Sequence, residues 1–149
     1  MNAYILIGLP GSGKSTWAQN NASCSIINRD SIRKMLYGGR YAYVKEDEPM
    51  ILNMALDLAK RLCIDLKDII IDETGVNINT RAKFIKIFKD WNYRVVYVWF
   101  KTPIDLCKER RKKDSKGLDQ DWSAVIDNMN TSMRSPSKEE GYDELIEIQ

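Results

Sequence analysis

The chain contains no histidine. That removes the commonest general base and the commonest zinc ligand, so acid–base work must fall to carboxylates. Cysteine is scarce. Cys24, Cys63 and Cys107 are widely spaced, odd in number and in no metal or disulfide pattern, which fits a reducing, cytoplasmic setting. No apolar run approaches the length of a membrane span, so no membrane partner is expected. The first such run is short and ends in glycine, unlike a signal peptide. Charge of one sign is also lacking: a net +2 over 149 residues is too little to argue for nucleic acid by itself. There is no internal repeat, linker or low-complexity segment. What remains is ordinary for a globular chain, 44% hydrophobic and 30% charged, at the length of one domain over residues 1–149. That length can bury a core without disulfides or metals.

Against this plain background one stretch stands out. Gly8-Leu9-Pro10-Gly11-Ser12-Gly13-Lys14-Ser15-Thr16 satisfies G-x-x-x-x-G-K-[S/T], the phosphate-binding loop called Walker A. Ala3-Tyr4-Ile5-Leu6-Ile7 before it reads as a buried strand, and Thr16-Trp17-Ala18-Gln19 after it continues a helix. The chemistry explains the pattern. Backbone N–H groups at Gly11, Ser12 and Gly13 can approach a polyphosphate closely where no Cβ intrudes. Lys14 reaches the β- and γ-phosphates, the Ser15 hydroxyl suits Mg2+, and Thr16 suits the α-phosphate. ATP and Mg2+ are therefore the expected cofactors.

Further along, Ser25-Ile26-Ile27 reads as a second strand ending near Asn28, with Asp30 or Ser31 capping a short helix through Leu36. Asp30 and Arg33 share a helix face and sit where ligands gather in open α/β sheets, beyond the carboxyl end of a strand. Asp30 is thus the candidate general base, and Arg33 a candidate anchor for an anionic acceptor. Gly38-Gly39-Arg40-Tyr41-Ala42-Tyr43 reads as a connection bearing aromatics, which either covers an acceptor or is simply a loop. A long helix is expected from about Glu46 to Leu66, with Met50, Ile51, Met54, Ala55, Leu58 and Leu62 as its core stripe. Ile69-Ile70-Ile71 is a strand buried on both faces, and the Asp72-Glu73 pair at its end makes a Walker B pattern. Asp72 is the first choice for the metal and Glu73 its rival.

A helix over about Thr80 to Lys89, with Ala82, Phe84, Ile85 and Phe88 as its apolar side, precedes a strand over Arg94 to Phe100. Thr102-Pro103 starts another helix, with Leu106 and Cys107 inward. Its end, Lys108 to Gly117, carries six cations and two acids. This suits a basic lid over about residues 108–121, with Arg110, Arg111 and Lys116 as rival phosphate contacts. A further helix starts at Asp121 or Ser123, and Glu144 to Ile148 reads as an edge strand. The alternation implies an α/β fold of three layers, a parallel sheet of about five strands with helices on both faces.

Together, the glycine loop running on into Trp17-Ala18 and the segment Ile27-Asn28-Arg29-Asp30-Ser31-Ile32-Arg33 resemble the P-loop kinase family that includes the kinase domain of bacteriophage polynucleotide 5′-hydroxyl kinase. The resemblance continues through Asp72-Glu73-Thr74, the Pro103 helix ending in Arg110, and Val125 to Met129 followed by Ser132-Met133-Arg134. It implies ATP-dependent phosphorylation of a 5′-hydroxyl end of DNA or RNA. By the same match Asp30 is the general base and Arg33 contacts the acceptor phosphate or the reacting centre. In this family the acid just before the threonine acts, which points to Glu73, while the Walker B reading points to Asp72. The phage enzyme also carries a phosphatase domain for which this chain has no room, so end repair would call for a separate phosphatase or ligase. The alternatives are a related kinase acting on a small-molecule hydroxyl or nucleotide, and a non-catalytic ATP-binding module.

Overall fold

A computed structural model describes residues 1–21 and 23–149. Five strands form one sheet: β1 (Asn2–Ile7), β2 (Ser25–Ile27), β3 (Ile69–Ile71), β4 (Arg94–Phe100) and β5 (Glu144–Ile148), in the order β2-β3-β1-β4-β5. Every pairing is parallel. Six helices connect or flank them: α1 (Lys14–Asn20), α2 (Arg29–Leu36), α3 (Glu48–Ile64), α4 (Ile78–Asp90), α5 (Ile104–Lys113) and α6 (Trp122–Ser132).

The alternation of each strand's side chains decides the layers. One face of β1 contributes Ala3, Ile5 and Ile7 to a core shared with α3, α4 and Ile32 of α2. The other face contributes Leu6, with Ile70, Val96 and Val98, to a core against Ala18 and Trp17 of α1. A smaller cluster of Leu9, Cys107 and Ile126 joins the glycine loop to α5 and α6. The expected three-layer α/β fold with a five-stranded parallel sheet is therefore what the chain adopts. No helix among the described residues is long and apolar enough to cross a membrane.

Several local readings need correction. The cap of α2 is Asn28, whose side chain accepts from the Ser31 N–H at 3.1 Å; Asp30 and Ser31 lie inside the helix. The packed stripe of α3 runs Ile51, Ala55, Ala59, Cys63, while Met50 and Leu58 are exposed. Small residues at a spacing of four let the helix backbone sit close to the sheet, and that contact outweighs the larger apolar side chains one position away. In the next two helices, Ala82 and Leu106 face solvent, and the N-cap position of α5 falls on Pro103. Thr102 makes a different bond, from its hydroxyl to the Ser12 carbonyl at 2.9 Å.

Candidate active site

The strand order reverses at β1, which has β3 on one side and β4 on the other. Crevices at the carboxyl ends of strands form at such switch points, and the glycine loop leaves β1 there. Close packing explains its glycines. A Cβ on Gly11 would lie 2.7 Å from the Cys107 carbonyl of α5, and its φ of +83° is a left-handed value. Gly13 has φ +103° and opens α1 without any side-chain cap. The loop is fastened by Gly8 N–H to the Thr74 carbonyl (2.9 Å), by Ser12 N–H to the Leu9 carbonyl (3.1 Å) and by the Thr102 bond.

Lys14 curls back over this loop. Its Nζ donates to the Leu9 carbonyl at 2.8 Å and to Ser12 Oγ at 3.3 Å. Burial pulls its ammonium down to about 8, the Asp72 and Asp30 carboxylates act to raise it, and the Arg111 guanidinium acts with burial. These neighbours locate both candidate acids on the same side of the sheet as the loop. Ser15 and Thr16 are exposed at the mouth.

The two adjacent acids after β3 have different partners. Glu73 is gripped by Arg29, Nε at 2.5 Å and Nη2 at 2.8 Å, so both of its oxygens are taken. Asp72 is buried, and among the described residues only its Oδ2 is engaged, accepting from Asn28 Nδ2 at 3.1 Å. Asn28 therefore caps α2 with its oxygen and orients Asp72 with its amide nitrogen.

Asp30 stands in the first turn of α2 with its side chain 61% exposed, and its Oδ1 accepts from Arg33 Nη1 at 2.6 Å. Glu48 takes a second edge of the Arg33 fork, Nε to Oε1 at 2.8 Å and Nη2 to Oε2 at 2.5 Å. This grip keeps Glu48 below the usual carboxylate range and Arg33 fully charged. The anion that Arg33 holds here is thus the chain's own Glu48. Sequence reasoning missed Glu48 and Arg29, whose importance lies in contacts across 15 and 44 residues of chain.

On the lid side, Arg110 Nη1 donates to the Gly11 carbonyl at 3.1 Å. The Arg111 guanidinium stacks over Trp122 at 5.1 Å, and its Nε is buried with no hydrogen-bond partner among the described residues. Lys116 is paired with Asp114 at 3.0 Å on the exposed loop and does not touch the glycine loop. A cleft of about 910 Å3 lies between α5 and residues 115–123, walled by Lys108, Arg111, Lys112 and Trp122, rather than at Asp30 and Asp72. Among the described residues no three metal-ligating side chains cluster, so a cation at Ser15 and Asp72 must complete its shell with phosphate oxygens and water.

Solved structures share this fold. A chain of the Pnkp1/Rnl/Hen1 RNA repair complex is 23% identical with a TM-score of 0.77, matched over 89% of this chain and 43% of that one. This protein therefore spans under half of that chain's length. A gluconokinase from Sinorhizobium meliloti 1021 is 16% identical with a TM-score of 0.65, over 98% of this chain and 81% of the other. Shikimate kinase from Acinetobacter baumannii is 18% identical with a TM-score of 0.65, over 100% of this chain and 84% of its own. At these identities the likeness establishes the fold, that of P-loop kinases. A stronger statement comes from the sequence itself, which matches the AAA domain from residue 4, inside β1, to residue 136, past the end of α6. That span takes in the glycine loop, both acidic strand ends and the lid together, so the chain belongs to the AAA-domain family.

Proposed function

We propose that this protein is an ATP-dependent phosphotransferase that moves the γ-phosphoryl group to an acceptor hydroxyl. One observation carries the reading: an exposed carboxylate, Asp30, is held by a buried guanidinium, itself paired with Glu48, beside the Lys14 loop. Nucleotide binding alone has no use for such a fixed proton acceptor. In the reaction the hydroxyl proton goes to Asp30, a bond forms between the acceptor oxygen and phosphorus, and the bond from phosphorus to the bridging oxygen of ADP breaks. Phosphoryl transfer asks mainly for positioning and charge neutralisation, so a carboxylate base suffices. Arg33 positions that base. Gly11, Ser12, Gly13 and Thr16 cradle the phosphates with Lys14, and Arg110 and Arg111 close from the lid. Ser15 and Asp72 would hold Mg2+, which neutralises charge on the β- and γ-oxygens. Glu73 is the poorer ligand because Arg29 occupies both of its oxygens.

The acceptor has two supported classes. The likeness to the gluconokinase and the shikimate kinase, which runs over nearly all of this chain and most of theirs, favours a small hydroxylated molecule or nucleotide. The Asn28-Arg29-Asp30-Ser31-Ile32-Arg33 segment and the likeness to a chain of an RNA repair complex favour a 5′-hydroxyl end of DNA or RNA, with a separate phosphatase or ligase acting on the same ends. Incubation with γ-labelled ATP, a panel of sugars, nucleosides and nucleotides, and 5′-hydroxyl oligonucleotides separates them. Transfer to at least one acceptor, lost in Asp30→Asn and Lys14→Ala, is expected. Nucleotide binding unchanged in Asp30→Asn, with no transfer by the parent protein to anything in the panel, would refute the proposal in favour of a binding module.

A further inference from the structure

The loop between α2 and α3 is pinned at its ends and aromatic in its middle. Tyr37 donates its hydroxyl to Asp47 at 2.5 Å, and Arg33 grips Glu48. Between these pins Gly38 and Gly39 turn the chain with φ of +67° and +84°, with nothing near where a Cβ would be. The tyrosines that follow differ from those the fold pins by their hydroxyls. The hydroxyls of Tyr37, Tyr93 and Tyr97 each donate to a fixed acceptor. Tyr43 has no hydrogen-bond partner among the described residues and is 63% exposed. Its ring lies 5.9 Å from Arg33 Cζ. Tyr41 is half-buried beside it, with Asp30, Arg33 and Glu48 all near enough to act on its hydroxyl.

Position gives this exposed ring its meaning. Arg33 touches Asp30 on one side and Tyr43 on another, which bounds the separation of the Asp30 carboxylate from the Tyr43 ring at roughly 10 Å, allowing one C–N bond between the two contacts. A hydroxyl delivered to Asp30 therefore has an aromatic face within the reach of one sugar and its base. Arg33 already holds two carboxylates through three of its five N–H groups, which neutralises much of its pull on a further anion. Recognition beside the base then falls to the aromatic surface, and a flat π-face is the ligand that such a surface suits.

We infer that Tyr43 is a stacking platform for the acceptor, and that the acceptor carries a nucleobase on the sugar whose hydroxyl is phosphorylated. The inference rests on the phosphotransferase reading and narrows it. A free nucleoside and a 5′-terminal nucleotide share this chemistry. A sugar acid or a cyclitol lacks it.

The test measures transfer from ATP by the full chain to three acceptors: a nucleoside, a 5′-hydroxyl oligonucleotide, and the same oligonucleotide with an abasic first residue. The parent protein is expected to favour the base-bearing oligonucleotide over its abasic counterpart. Tyr43→Ala should raise the KM for the base-bearing acceptor roughly ten- to a hundredfold, in line with loss of one base–aromatic stack. It should lower the abasic reaction at least tenfold less, and Tyr43→Phe should restore most of the preference. Equal losses on both oligonucleotides in Tyr43→Ala, or no preference in the parent, overturn the platform. Label found only on sugars or sugar acids overturns it while leaving the phosphotransferase intact. No label on any acceptor overturns both. Transfer to the nucleoside as readily as to the oligonucleotide would support the platform and identify the free nucleoside as its source.

Discussion

Polyphosphate binding should draw a proton into this protein. Lys14 sits with its ammonium buried against the Leu9 carbonyl and Ser12 Oγ, and burial lowers it from 10.5 to about 8. Phosphate oxygens brought into the loop supply the negative charge that burial removed, so the bound state should restore the ordinary value or exceed it. At pH 8.5 a group of pKa 8 is about three-quarters neutral, so binding should take up about 0.75 proton, against about 0.1 at pH 7. The phosphate's own second ionisation lies near 6, silent at pH 8.5 but able to release about 0.1 proton at pH 7, so the net uptake there should be close to zero. Calorimetry of ATP binding in two buffers of different ionisation heat, at pH 7 and 8.5, reads the proton count directly. The sign for stability follows from the same shift. Between pH 8 and 10.5 the unfolded chain holds more protons at Lys14 than the folded one, so this residue makes stability rise with pH, by about 3 kcal/mol in total. Below pH 8 both states are charged and the cost is fully present. The Lys14→Met protein should lack that rise. Tight ATP binding with no buffer dependence at pH 8.5 would refute the argument, since it would mean Lys14 is fully charged before the phosphates arrive.

Two further tests concern the scaffold. Arg81 is 1% exposed and bonds Glu140 bidentately, with its Nη1 also donating to the carbonyls of Gly75 and Arg134. Arg81→Met leaves Glu140 with only the Tyr97 hydroxyl and the Ser137 N–H, so urea denaturation should show a loss of about 3–5 kcal/mol; a change under about 1 kcal/mol would mean that Glu140 finds water instead. Gly75 has φ +63°, and a Cβ there would meet the Leu6 carbonyl at 2.7 Å, so Gly75→Ala should cost about 2 kcal/mol or more in the same assay.

The parts of the site that a sequence can show are those built from neighbours in the chain. The loop from Gly8 to Thr16 announces itself because its chemistry needs backbone, a lysine and a hydroxyl at fixed spacing. Asp30 and Arg33 are one helical turn apart and were legible for the same reason. That Arg29 grips Glu73 rather than Asp72 was not, because the contact joins the start of α2 to the segment after β3, which the pairing of β2 with β3 brings together. Arg33 carried a second ambiguity: its charge suggested an acceptor anion, and only folding reveals Glu48 across from it. In α3 the periodicity was visible and Ile51 and Ala55 were legible, but Ala59 and Cys63 were not, since they pack by being small rather than by being strongly apolar. Arg81 was invisible altogether. A charged residue at the start of an amphipathic helix reads as solvated until the four oxygens around it are brought together from distant segments.

The contact between Gly11 and the Cys107 carbonyl limits how the upper part of the molecule can move. With no side chain between them, the phosphate loop and the first turn of α5 behave as one body, and the Arg110 bond to the Gly11 carbonyl extends that body through the second turn. Any swing over a bound nucleotide must therefore pivot beyond Arg110, leaving residues 111–121 as the moving arm. The arm's own joints are Lys116 and Gly117, where φ is +57° and +71°.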